Sequence, residues 1–223
     1  MQQRKSKKLI FYFFLLILLA SINNLRLDEI SSKEIKNINI YGLDDVNKKI
    51  LIAKIQNLNL SNIFFINKNE LNSIFDNNTL VESYSIFKKY PSSIDIKIKK
   101  TNFLAKINIE GKTFLVGSNG KLTKQNLLIN EIPYIFGKPE IYEFIKFKNV
   151  IDQSKLSFNQ VKNIYYFNSK RWDLELYDGT LIKLPKNNVQ KSLDNIFDIM
   201  NNDNFKNIKF IDVRVANQII IND

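Results

Sequence analysis

The chain has 223 residues, a formal charge of +11 from 33 basic against 22 acidic residues, and 44% hydrophobic content, enough for one large or two small cores. It contains no cysteine and no histidine, which excludes disulfides, thiolate nucleophiles, zinc–cysteine sites and the commonest general base. Its six glycines are scattered at positions 42, 111, 117, 120, 137 and 179, so there is no phosphate-cradling loop, and any enzymatic chemistry would rest on carboxylates and hydroxyls.

In chain order, the first feature is Leu9 to Ile22, fourteen residues without a charge, preceded by Arg4, Lys5, Lys7 and Lys8. As a helix this run covers about 21 Å, short of a hydrocarbon core of roughly 30 Å. Extension to Leu27 gives about 28 Å, with Asn23, Asn24 and Arg26 at the far interface. We expect a transmembrane anchor over 9–27, in contact with the bilayer through Leu9, Phe13, Leu16, Leu19 and Ile22. The competing reading is a cleavable signal peptide. It needs small residues three and one before the cut, and cutting after Ala20 or Ser21 puts Leu18 or Leu19 three before. Under both readings the positive-inside rule keeps the head, 1–8, in the cytoplasm and exports the rest. The expected location is the inner membrane, single-pass, with the bulk of the chain periplasmic.

Ile35, Ile38 and Ile40 lead as a strand into Tyr41-Gly42. Asp44 or Asp45 can cap a helix carrying Val46, Ile50, Ala53 and Ile55 on its apolar side. Asn67 with Glu70 three positions on has capping-box spacing and announces a second helix with Leu71, Ile74 and Phe75. The period then changes to two. Val81, Ser83, Ser85 and Phe87 alternate, Tyr90-Pro91 breaks the run, and Ile94, Ile96 and Ile98 alternate with Asp95, Lys97 and Lys99.

This β-α-α-β-β order resembles a POTRA module. The matching stretches are Ile38-Asn39-Ile40-Tyr41-Gly42, Asn62-Ile63-Phe64-Phe65-Ile66-Asn67, Leu80-Val81-Glu82-Ser83-Tyr84 and Lys88-Lys89-Tyr90-Pro91-Ser92-Ser93-Ile94-Asp95-Ile96. Each meets a turn or core requirement, with the Phe64-Phe65 pair suited to packing under a sheet. They speak of fold and not of chemistry.

The second half is strand-rich. Phe103–Ile109 and Thr113–Gly117 flank Glu110-Gly111, and a turn at Ser118-Asn119-Gly120 precedes Leu122. Ile132–Gly137 is a short extended piece, and Pro139 suits the first turn of a helix bearing Ile141, Phe144, Ile145 and Lys148. Val161–Phe167 and Arg171–Tyr177 are strands, and Asp178-Gly179 signals a hairpin into Leu181–Pro185. Val189, Leu193, Ile196, Phe197 and Met200 share a helix face, and two strands follow, Ile208–Val215 and Gln218–Ile221.

Arg171-Trp172-Asp173-Leu174-Glu175-Leu176-Tyr177-Asp178-Gly179-Thr180-Leu181-Ile182-Lys183-Leu184-Pro185 and Phe210-Ile211-Asp212-Val213-Arg214-Val215 resemble the β domain of the bacterial division family FtsQ (DivIB). Phe103-Leu104-Ala105-Lys106 and Ile132-Pro133-Tyr134-Ile135-Phe136-Gly137 are also similar to stretches of that family, and the order matches from the anchor almost to the last residue. The resemblance implies a non-enzymatic scaffold that binds FtsB, and FtsL through it, with the last strand of the β domain receiving a strand from FtsB. Carried over by position, the binding edge is Arg214, Val215, Asn217, Ile219 and Ile221, with Lys170 and Arg171 on a neighbouring strand as electrostatic partners. Independently of the family, a terminal apolar edge without proline is either an interaction site or simply the last core strand; Val213, Val215 and Ile219 to Ile221 are poorly guarded by charge.

Other functions fit less well. An exported glycosidase could use Asp173 and Glu175 on one strand face, although such neighbours are commonly a solvated polar face. A POTRA protein of outer-membrane assembly or secretion is the alternative function, but it needs a long barrel that some 120 residues with helical patterns do not supply. The dispersed lysines do not form the aromatic-interleaved basic surface of a nucleic-acid binder, and one arginine, Arg171, has an ordinary structural reading over the Trp172 face. The expected architecture is α+β: an N-terminal transmembrane helix, a POTRA-like module at 33–101, and a mixed strand-rich β domain with a few helices at 102–223. No cofactor, small-molecule substrate or nucleic acid is expected, and the expected partners are FtsB- and FtsL-like proteins and the bilayer.

Overall fold

A computed structural model describes residues 7–22, 35–58, 63, 66–124, 131–202, 208–215 and 218–222. The chain divides into two units, Met1–Lys100 and Thr101–Asp223. Helix α1 spans Lys7–Ile22, and Leu9, Phe13, Leu16 and Leu19 are all exposed along it, as an apolar helix with no protein neighbour would have them. No described helix is long and apolar enough to cross a membrane. Residues 23–27, on which the expected span depends, lie outside the described residues, as does the side chain of Ile22.

The first unit contains β1 (Asn37–Tyr41), α2 (Asp45–Gln56), α3 (Lys68–Asp76), β2 (Val81–Lys89) and β3 (Ser93–Lys100). Strand β3 is central, parallel to β1 and antiparallel to β2. The return from the sheet into α2 turns on Gly42. Its φ is +96°, and a Cβ there would stand 1.9 Å from the Ile98 carbonyl oxygen, so no side chain fits the approach. Asp44 caps α2 by accepting from the Asn47 N–H at 3.0 Å. Asn67 caps α3 by accepting from Asn69 N–H, but its own amide donates to Glu70 Oε1 at 2.8 Å, so the reciprocal bond of a capping box is replaced by a side-chain pair.

One helix face differs from expectation. Helix α2 buries Leu51 and Ile55, while Val46, Ile50 and Ala53 face solvent, Val46 at 68% exposure. Apolar residues occur on both sides of this helix, so two stripes of helical period coexist and only the packing partner selects one. The selected stripe joins Ile40, Ile63, Leu71, Phe75, Val81, Ile94, Ile96 and Ile98 in a single core. The Phe64-Phe65 pair lies outside the described residues.

The second unit is built on a nine-stranded sheet. Its strands are β4 (Phe103–Ile109), β5 (Lys112–Gly117), β6 (Leu122–Lys124), β7 (Tyr134–Phe136), β8 (Val161–Tyr166), β9 (Trp172–Leu176), β10 (Leu181–Lys183), β11 (Phe210–Asp212) and β12 (Ile220–Asn222). Across the sheet the order is β12-β11-β10-β9-β8-β7-β4-β5-β6. The pairs β4–β7, β7–β8 and β10–β11 are parallel, and the rest are antiparallel. Glu110-Gly111 both take positive φ in the β4–β5 turn, the geometry a two-residue hairpin of this hand requires.

Helices α4 (Ile141–Asp152) and α5 (Val189–Met200) supply Phe144, Phe147, Ile151, Leu193 and Ile196 to a core shared with Ala105, Ile107, Ile135, Ile164, Leu174, Ile182 and Ile211. These strand residues alternate along their strands and meet in register, so they define one face of the sheet. Pro139 precedes the N-cap Glu140 of α4 and does not enter its first turn. Trp172 lies flat on Phe147, with ring centroids 4.6 Å apart and planes 5° from parallel.

Candidate partner-binding edge

Strand β12 pairs with β11 on one side and with no described strand on the other. It is an edge of three residues. Each edge residue directs backbone polar groups alternately toward its neighbour and away from it, so the outward groups remain available for another strand.

The face of the sheet opposite the helices carries a row of side chains in register from β7 to β12: Phe136, Tyr165, Asp173, Lys183, Asp212 and Ile220. Acid and base alternate at its centre. Asp173 and Asp212 are both buried, and Lys183 stands between them with its ammonium 4.8 Å from the centroid of the Phe210 ring. Arg171 Nε donates to Asp173 Oδ1 at 3.2 Å. Arg214 Nε donates to Asp212 at 2.8 and 2.9 Å, and its backbone N–H also donates to Asp212 Oδ1. The Arg214 guanidinium holds the Asp212 carboxyl below the usual carboxylate range, and Asp212 in turn raises Arg214.

A second polar cluster occupies the same face one register step away. Glu175 accepts from Asn163 Nδ2 at 2.9 Å and from the Tyr165 hydroxyl at 2.7 Å, with Lys162 at 3.3 Å. These hydrogen bonds lower the Glu175 carboxyl, while burial and Glu175 push Tyr165 up to about 12. The Asp173–Glu175 pair considered for hydrolysis is thus engaged by structural partners on both members. No cluster of three metal-ligating side chains occurs among the described residues.

The residues carried over to the edge fall into distinct places. Val215 is 56% exposed, but it follows β11 and belongs to neither strand. Ile219 is 41% exposed and immediately precedes β12. Ile221 lies within β12 and turns its side chain onto the core, so it anchors the strand. Asn217 lies outside the described residues. Val213, read as poorly guarded, is buried in the core. The outward residue of the strand is Ile220, 46% exposed. Three consecutive isoleucines carry no alternation of polarity, so the sequence leaves the phase of this strand open.

Lys170 and Arg171 are not on a neighbouring strand. They form the β8–β9 turn, Lys170 with φ +61°, and β10 and β11 separate β9 from the edge. Lys170 Nζ is 3.5 Å from Glu143, and Arg171 covers the Phe167 ring at 4.6 Å rather than Trp172, which is stacked on Phe147. Even so, the in-register row brings Arg171 to the same end of the sheet as Arg214.

Comparison with known proteins bears on both units. A family model described as the C-terminal part of the cell division protein FtsQ/DivIB matches residues 105–214, and one described as the POTRA domain, FtsQ-type, matches residues 33–100. The first span ends at Arg214, so β12 lies beyond it. The chain is 25% identical over 192 residues to "Cell division protein FtsQ" of Rickettsia bellii, an alignment covering 84% of this chain and 72% of that protein. It is 23% identical over 198 residues to "Cell division protein DivIB" of Clostridium botulinum strain Hall, covering 80% and 77%. A solved extracytoplasmic domain of DivIB from Geobacillus stearothermophilus matches with a TM-score of 0.33 and 15% identity, over 42% of this chain and 85% of that one.

Proposed function

The chain belongs to the FtsQ/DivIB family of bacterial cell division proteins, and from that membership we propose that it is a non-enzymatic divisome scaffold, held in the inner membrane by its N-terminal segment, whose β12 edge receives a strand from an FtsB-like partner and engages FtsL through it. The single observation that supports strand addition is that β12 has no described strand on its outer side, with Ile220 exposed on it and Ile219 exposed just before it. A strand without a partner on one side offers unsatisfied backbone donors and acceptors and a template for a further strand.

The apolar Leu9–Ile22 run behind four cations supports the anchor and the orientation, with the N-terminus cytoplasmic and both units periplasmic. Anchoring matters for the energetics. One added strand three residues long buries an area at the low end of stable interfaces. Partners in the same bilayer meet at effective concentrations on the order of millimolar, so such a contact suffices.

The native chain has no cysteine, which gives site-directed cross-linking a clean background. Ile220→Cys on the edge and Lys124→Cys on the opposite edge strand β6 are each paired, in membranes, with single cysteines along the FtsB-like partner. Disulfide formation at 220 with alternate partner positions, and none at 124, is the expected result. Equal cross-linking at both edges, or none at 220, refutes strand addition at β12.

A further inference from the structure

The chain enters the first unit at Lys36, whose backbone N–H donates to the Ser92 carbonyl at 2.8 Å, and the Asn37 N–H reaches the same oxygen at 3.3 Å. The start of β1 is thereby tied to the β2–β3 turn. Because β1 is parallel to β3 and β2 antiparallel to it, Asn37, Ser93 and Lys89 stand together at one end of the sheet. Lys36, Lys88 and Lys89 bring three cations to that end, and Tyr90 in the turn is 60% exposed. Lys89 pairs with the buried Asp95. None of the four residues belongs to the core of the unit.

We propose that this end of the first unit docks on the bilayer that holds the N-terminal anchor, with Lys36, Lys88 and Lys89 on anionic phospholipid headgroups and the Tyr90 ring among them. The assignment rests on the anchor reading and adds a second, peripheral contact to it. Tether length selects the bilayer as the occupant. Lys36 follows Leu27, the end of the expected span, by nine positions, and a chain of that length reaches at most about 30 Å. The cluster is therefore held close to the lipid surface. Residue type selects the same surface. Each cation near an anionic leaflet favours the bound state about fivefold. Tyrosine adds an apolar ring and a polar hydroxyl that suit headgroup depth. The far end of the sheet also bears cations, Lys99 and Lys100, but Lys100 faces Asp44 at 3.9 Å, and that end stands a strand's length from the point where the chain enters. Strand β3 has eight residues, about 26 Å, so docking at Ser93 directs Lys100 and the exit of the unit away from the lipid.

The test uses the full chain in liposomes, and the absence of native cysteine allows one reporter at a time. Asn37→Cys at the docked end and Ser83→Cys, opposite Lys99 at the far end, each carry an NBD fluorophore. Quenching is read from lipids bearing a headgroup nitroxide, in bilayers of phosphatidylglycerol with phosphatidylethanolamine or of phosphatidylcholine alone. In anionic bilayers the reporter at 37 should be quenched at least about threefold more than that at 83, and the difference should shrink in phosphatidylcholine and in about 0.5 M salt. Lys36→Gln/Lys88→Gln should lower the docked-to-undocked ratio about fivefold per cation removed, and Tyr90→Ser should weaken docking in both bilayers. Circular dichroism confirms folding of each variant, and the salt titration of the native cluster needs no substitution within it. Flotation after an alkaline wash reports the anchor by itself. A chain that floats while its two reporters are quenched equally, or independently of lipid charge, overturns the docking and leaves the anchor standing. A chain washed off the liposomes overturns the anchor and the docking with it.

Discussion

Replacing Phe147 by alanine tests the core of the second unit and the separation of the two cores in one experiment. Phe147 is 4% exposed, and its ring lies parallel to Trp172 at 4.6 Å. Truncating a buried Phe costs about 3–5 kcal/mol, of which the lost aromatic contact accounts for roughly 0.5–1.5. Against a domain stability of about 5–15 kcal/mol this is a large loss. With a urea m-value near ~2 kcal/mol per molar, the midpoint should fall by about 1.5–2.5 M. Trp172 is the one tryptophan of the chain, so its fluorescence follows the second unit alone. Far-UV circular dichroism follows both. Because the first unit has its own core, its transition should not move. A fluorescence midpoint displaced by less than about 0.5 M, or two transitions displaced together, would refute the packing argument.

Gly42→Ala should destabilise the first unit by more than about 2 kcal/mol in thermal unfolding, since strain at positive φ adds to a 1.9 Å approach to the Ile98 carbonyl. Asn67→Ala should cost about 1 kcal/mol in the same assay through loss of the α3 cap. The Tyr165 hydroxyl is raised from 10.0 to about 12, so it stabilises the fold fully below pH 10 and the contribution fades as pH climbs through 12. Tyr165→Phe should flatten urea stability across that window; an unchanged slope would contradict the Glu175 contact. Asp212 is lowered by Arg214, so its contribution is present above the ordinary carboxylate range and disappears as pH falls through the depressed folded value. Melting temperature against pH should lose that acid-side fall in Asp212→Asn, and a parallel profile would argue against the pair.

Much of the fold is legible where a local rule acts alone. Alternation marked β2 and β3, Glu110-Gly111 and Asp178-Gly179 marked hairpins, and Leu193 with Ile196 marked the buried side of α5. Legibility fails where two local solutions are equivalent. Helix α2 offers two apolar stripes, and Ile219 to Ile221 offer two strand phases, so local pattern marks the buried Ile55 but not the outward Ile220. It also fails where the answer is a long-range pairing. The parallel contact of Lys106 with Tyr134 splices the β4–β6 meander onto the rest of the sheet, and no short-range signal encodes it. Arg171 and Arg214 share an end of the sheet only because β10 lies between their strands, antiparallel to β9 and parallel to β11.

The alternating row Asp173, Lys183, Asp212 also acts as a spelling check on assembly. A slip of two residues preserves which side of a strand faces the core, so apolar packing alone tolerates it better than a slip of one. Sliding β11 two residues in one direction would set Lys183 against Arg214 in place of Asp212, and the corresponding slide of β9 would set it against Arg171 in place of Asp173. Cation would then meet cation directly across the strands, and like charges opposite one another destabilise a pairing. The same three charges, two of them buried, thus proofread the alignment of the strands that carry the edge.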